Sequence, residues 1–213
     1  MNLNAPLKKG RKYDQVLAGA REVFLREGFE GASVDQIARD AGVSKATLYS
    51  YFPDKQALFM AVLTMECQLQ SDQAMGIEIL QRPVPEALYA IAHSFLEFLM
   101  SDFSVQVFRV CVAESARFPE LGRAFYESGP RQVQEELATY LASDRAGREL
   151  VVEDSYMAAD QFLQLCRADM LLRKIFSVED GATPEQIDRV ARETVKTFLA
   201  RYARRRSVDP AHQ

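Results

Sequence analysis

Between Gly42 and Phe59 the chain reads GVSKATLYSYFPDKQALF, which brings Lys45, Tyr49, Tyr51 and Lys55 together with the hydroxyls of Ser44, Thr47 and Ser50. Lysine ammonium groups and phenolic or aliphatic hydroxyls are the side chains that meet phosphate oxygens and base edges. Leu48 and Phe52 are four residues apart, the spacing of one helix face, which predicts a short helix with those two turned inward. Lys45, Ala46, Tyr49 and Ser50 then occupy the opposite side, with Thr47 and Tyr51 on the flanks. Short side chains at 46, 47 and 50 let such a helix lie deep against base edges, where a thymine methyl can meet Ala46 or the Thr47 methyl. Lys55 adds charge in the first turn of the next helix, where free backbone N–H groups already favour an anion.

The preceding residues are suited to hold that helix in place. Val16, Leu17, Ala20, Val23 and Phe24 share a face of a first helix that stops at Gly28. Ser33 is an N-cap for a short helix with Val34, Ile37, Ala38 and Ala41 inward. Gly42 ends it, Ser44 caps the next, and Pro53 forbids continuation past Tyr51. Helix, tight turn and second helix over 34–53 make a helix-turn-helix, whose second helix enters the major groove of DNA.

The stretch AREVFLREGFEGASVDQIARDAGVSKATLYSYFPDKQALFMAVL (20–63) resembles the DNA-binding domain of the TetR/AcrR transcriptional regulators. The resemblance implies an all-α fold, with a three-helix head and a larger helical ligand-binding and dimerisation domain. It also implies a homodimer, most often a repressor, that leaves its palindromic operator when a small molecule binds. Carried onto matching positions, DNA contacts fall on Ser33, Lys45, Ala46, Thr47, Tyr49, Ser50, Tyr51 and Lys55. Beyond residue 63 the likeness is looser, towards the AefR-like C-terminal type. The expected organisation is a flexible basic arm over 1–12 (with LKKGRK at 7–12), the DNA-binding domain over 13–55, the effector and dimerisation domain over 56–206, and a disordered tail over 207–213.

In the body, RPVPEA (82–87) is the clearest break, and helices are expected near 55–80, 85–99, 104–117, 119–128, 131–143, 154–176 and 184–205. Gly129-Pro130 reads as a stop followed by a start, and 144–154 as a loop. The 154–176 helix is apolar on too many sides to bury one face only. Phe162, Cys166 and Met170, with Val190, Thr194, Phe198 and Tyr202 of the last helix, are therefore expected at a two-fold interface. Phe95, Leu99, Phe103, Phe108, Cys111, Phe125 and Tyr126 are the candidates for an apolar effector pocket, which points to a hydrophobic or amphipathic small molecule.

Bulk properties narrow the class. Residues 1–55 hold nine Lys/Arg against seven Asp/Glu, a balance of +2, and residues 56–213 hold seventeen against twenty-three, a balance of −6. A mildly basic head on an acidic body fits a local contact with an anion. No stretch has the roughly 18–20 apolar residues that cross a bilayer and no apolar signal segment opens the chain, so a cytoplasmic location is expected. Cys67, Cys111 and Cys166 lie far apart without ligand spacing and read as buried thiols; no metal or cofactor is implied. With His93 and His212 as the two imidazoles and no phosphate loop, HExxH or nucleophile elbow, an all-α enzyme is the remote alternative. A ligand-independent DNA-binding or co-regulatory protein with a solid helical core is the nearer one.

Overall fold

The computed structural model describes residues 10–74 and 76–204; the greater part of the basic arm and the C-terminal tail lie outside these. Among the described residues there is no strand, only an antiparallel bridge between Leu150 and Ala203, and no helix is long and apolar enough to cross a membrane. The helices are α1 (Arg11–Gly31), α2 (Val34–Asp40), α3 (Lys45–Tyr51), α4 (Lys55–Ala74), α5 (Ile77–Leu80), α6 (Val84–Leu99) and α7 (Asp102–Glu114), then α8 (Pro119–Tyr126), α9 (Gln132–Leu141), α10 (Asp144–Glu149), α11 (Ser155–Cys166), α12 (Leu171–Ile175) and α13 (Pro184–Tyr202). Gly28, at φ 69°, interrupts α1 where the sequence predicts its end.

The helices form two compact units, and the division differs from the one expected at residue 55. The first holds the described residues up to Leu69 together with Ser101–Gly129; the second holds the remainder. The reason is aromatic. Phe59 on α4 meets Phe24 edge-on at 5.0 Å and Phe29 at 4.8 Å, and Phe103 on α7 meets Phe59 at 6.5 Å. The first three helices thus share one apolar core with α4 and α7.

In the second unit, Leu88, Ile91 and Leu96 of α6, Leu137 and Leu141 of α9, and the inner faces of α11 and α13 bury a common core. Phe162 and Phe198 meet edge-on at 5.2 Å, and Phe198 lies 4.6 Å from the Tyr202 ring. The seven residues expected at the dimer interface lie in this core. Phe162 and Phe198 are 0% and 1% exposed within one chain, and Cys166, Met170, Val190, Thr194 and Tyr202 are buried with them. A side chain already enclosed by its own chain has no surface left to offer a partner.

The surplus of apolar residues over 154–176 has a different cause. The helix is not continuous: α11 ends at Cys166 and Asp169 takes φ 69°, so α12 starts with a new orientation. Two further expectations fail locally. Pro130 does not start a helix but sits inside a π-helical turn, Glu127–Arg131, between α8 and α9. A proline has no N–H and its ring clashes with the carbonyl four residues back, and the wider turn accommodates both. The expected loop after residue 143 contains α10, whose first turn is capped by the Ser143 hydroxyl accepting from the Ala146 N–H.

Phe162→Ala or Phe198→Ala is expected to destabilise the chain by roughly 3–5 kcal/mol in urea unfolding, the range for emptying a buried aromatic site. A shift from dimer to monomer with an unchanged unfolding midpoint would instead return these rings to an interface.

Candidate nucleic-acid interface

Gly42, at φ 64°, makes the turn between α2 and α3, a conformation that glycine adopts without a Cβ penalty. α1 approaches so closely here that a Cβ on Gly19 would lie 2.7 Å from the Ala41 Cβ. The Ser33 hydroxyl caps α2 by accepting from the Gln36 N–H at 3.1 Å, and the Ser44 hydroxyl caps α3 by accepting from the Thr47 N–H at 3.1 Å. Asp54 does the same for α4, taking the Ala57 N–H at 2.7 Å. Each cap satisfies a donor that the helix itself cannot.

Leu48 and Phe52 are buried, and every other residue of α3 keeps some contact with water. Lys45, Ala46, Tyr49 and Ser50 are exposed, and Thr47 and Tyr51 are half-buried on the flanks. Their engagements differ. The Lys45 ammonium pairs with Asp35 of α2, both groups being exposed; such a pair is worth about 0–1 kcal/mol and yields readily to a phosphate. The Thr47 hydroxyl lies 2.9 Å from the Ser44 hydroxyl, and Ser50 donates to the Thr47 carbonyl at 2.6 Å. Tyr51 packs edge-on against Tyr13 of α1 at 5.6 Å, so its ring also braces the helix.

Lys55 is where structure and expectation part. Its ammonium donates to the Phe29 carbonyl at 2.8 Å and the Ala32 carbonyl at 3.2 Å, with the Glu30 carbonyl at 3.5 Å, and sits 4.5 Å from the centre of the Phe29 ring. The negative end of α1 and an aromatic face thus claim a cation that the sequence sends to DNA. A second fastening escaped sequence reading. Glu66 of α4, 7% exposed, accepts from Arg21 of α1 at 2.5 and 3.2 Å, and that bond raises the Arg21 pKa above its ordinary value. Arg21 and Glu66 are 45 residues apart, so no local pattern announces the pair.

The seven pocket candidates are divided between the two units. Phe95 and Leu99 are partly buried against the core of the second unit, whereas the other five belong to the first. There Phe103 and Cys111 are buried, Phe108 meets Phe125 at 6.2 Å, and Phe108 and Tyr126 are exposed. A cavity of about 230 Å³ in the second unit is lined by none of them but by Val151, Glu153, Asp154, Met157, Gln161, Arg201 and Tyr202. The three thiols are buried, and burial pushes their pKa values up to about 12 for Cys67, 11 for Cys111 and 12 for Cys166, so they stay protonated near neutral pH.

Three crossed helices with a short polar and aromatic outer face define a helix-turn-helix DNA-binding protein. Residues 16–62 match the family model of bacterial regulatory proteins of the tetR family, and residues 86–204 match that of the AefR-like transcriptional repressor C-terminal domain. The chain belongs to the TetR family of transcriptional regulators, and it is a DNA-binding regulator rather than an enzyme. It is 48% identical over 52 residues to the HTH-type transcriptional regulator RutR of Escherichia coli K12, a stretch that covers only 24% of either chain. Of solved structures, the flavonoid-responsive regulator FrrA is 38% identical, the likeness covering 92% of this chain and 100% of that one with a TM-score of 0.66. A protein assigned to the TetR family from Mesorhizobium loti MAFF303099 is 25% identical over 93% of this chain and 100% of its own, with a TM-score of 0.82.

Lys55→Met is expected to lower the melting temperature and weaken DNA binding while leaving the slope of log K against log salt unchanged. A slope reduced by about one would mark Lys55 as a phosphate contact after all. Ser44→Ala should cost roughly 1 kcal/mol of stability by removing the α3 cap.

Proposed function

We propose that the chain works as a homodimer that binds a palindromic operator through α3 and is released by a small amphipathic or aromatic molecule. The observation that carries this reading is the ordered exposure of α3 and its C-cap Phe52: two anchors turned in, four groups turned out, two on the flanks. Lys45 and Tyr49 reach phosphates; Ala46, Thr47 and Ser50 lie against base edges; Ser33 and Tyr51 steady the approach from either side. Lys55 serves by holding α4 to the end of α1 rather than by touching DNA.

One seven-residue helix reads too few base pairs for useful specificity. Two of them held about 34–36 Å apart read successive major grooves, so a dimer is required, and a ligand that favours a different separation lowers operator affinity by its differential binding to the two states. The flavonoid response in the name of the similar regulator FrrA supports an aromatic effector. The Phe108–Phe125 pair with exposed Tyr126 beside it offers rings against which such a molecule can stack.

Lys45→Ala is expected to weaken binding to all DNA sequences alike and to reduce the salt slope by about one, as loss of a phosphate contact does. In a mobility-shift titration with a panel of flavonoids and other small aromatic compounds, at least one should lower operator affinity. Saturation of the panel without effect would favour the ligand-independent regulator.

A further inference from the structure

Four cations of α1 to α3 are already held by the protein itself. Arg21 is bonded to Glu66, Arg26 to Glu27 and Asp40, Arg39 to the Gln36 side-chain carbonyl, and Lys45 to Asp35. Residues 11–51 carry six Lys/Arg and six Asp/Glu, a balance of zero. The attraction of α3 for a polyanion therefore depends on local pairing and not on an overall positive field. Lys45 is the cation that α3 itself supplies, at its first position.

The backbone fixes the Lys45–Asp35 pairing. Asp35 is the second residue of α2 and Lys45 the first of α3. Between them the Gly42 N–H donates to the Arg39 carbonyl and the Val43 N–H to the Ala38 carbonyl, both at 3.0 Å. The turn cannot relax without breaking these bonds, so the start of α3 stays beside the start of α2. Both side chains are more than half exposed, so water and salt screen the pair and it opens at small cost. A phosphate oxygen that takes the Lys45 ammonium must take it from Asp35. It then leaves that carboxylate unpaired beside a like charge. Both effects oppose binding, and both are indifferent to base sequence.

We infer that Asp35 is a competitive latch on Lys45, which sets how tightly α3 holds any DNA. Asp35 acts through Lys45 and is a positioning residue. Such a latch suits a regulator that has to leave DNA. Weak sequence-independent adhesion keeps it off the large excess of unrelated duplex, and a modest hold on the operator lies within the range of an effector's coupling. The inference rests on Lys45 as a phosphate contact and on the homodimer, both proposed above.

The test measures binding of the full chain to a random-sequence duplex over a series of salt concentrations. Asp35→Asn and Asp35→Ser should each bind about tenfold tighter than wild type, roughly threefold for each of two heads. Their slope of log K against log salt should be steeper. Asp35→Glu, which keeps a carboxylate within reach, should behave as wild type. In a Lys45→Ala background Asp35→Asn should gain no more than about twofold, since no ammonium remains to be freed. Equal gains in both backgrounds would make Asp35 a distant charge and no latch. Unchanged or weaker binding by Asp35→Asn and Asp35→Ser would make the pair a brace for α3. Either result overturns the inference, while a weaker, flatter-sloped Lys45→Ala keeps the reading of α3. If Lys45→Ala changes neither affinity nor slope, Lys45 is no phosphate contact, and that reading fails together with the latch.

Discussion

Leu48 and Phe52 fix everything that α3 presents to solvent. Seven residues make a helix too short to persist alone in water, so its existence and its rotation come from what it buries. Leu48 is fully enclosed and Phe52 nearly so, each contributing about 1.5–3 kcal/mol by removal of apolar surface from water. Because successive side chains on a helix are about 100° apart, a change of one residue in that anchoring would turn Tyr49 into the core and Leu48 out of it. The Ser44 cap, the Gly42 turn and the Tyr13 ring against Tyr51 and Phe52 all act on the same orientation.

Lysines of one motif take different roles according to what surrounds them. Lys45 meets a single exposed carboxylate and stays available, whereas Lys55 finds three carbonyls at the end of α1 and an aromatic face. Together with the Arg21–Glu66 pair, Lys55 fastens α1 to α4, so the helix carrying the chain away from the recognition element is tied to the helix that braces it. The first unit accordingly behaves as a six-helix assembly, α1 to α4 with α7 and α8, in which Phe59 meets Phe103, and is larger than the three-helix head suggested by the motif.

How much of this is legible in the sequence follows from the range of the interactions. Caps, the Gly42 turn, the Pro53 stop and the facing of α3 depend on residues within a few positions, and each can be read directly. The Arg21–Glu66 pair and the Phe59–Phe103 contact join distant segments and leave no periodic trace. The α11–α12 break has no glycine or proline to announce it; Asp169 makes the left-handed turn because two arginines hold its carboxylate. The stripe from Phe162 to Tyr202 was unreadable for another reason: a core between two helices and an interface between two molecules use the same residues at the same spacing. Exposure distinguishes them, and over this stretch it leaves Tyr156, Met157, Leu172, Phe176 and Val178 outward. The Ser143 cap before α10 was a local signal that could have been found.

Selection of binding sites from random double-stranded DNA, at low salt and without added small molecules, tests the central claim most directly. The account predicts enrichment of an inverted repeat whose half-sites lie about one helical turn, 10–10.5 base pairs, or a multiple of it apart. Bound DNA with no enriched dyad would contradict it.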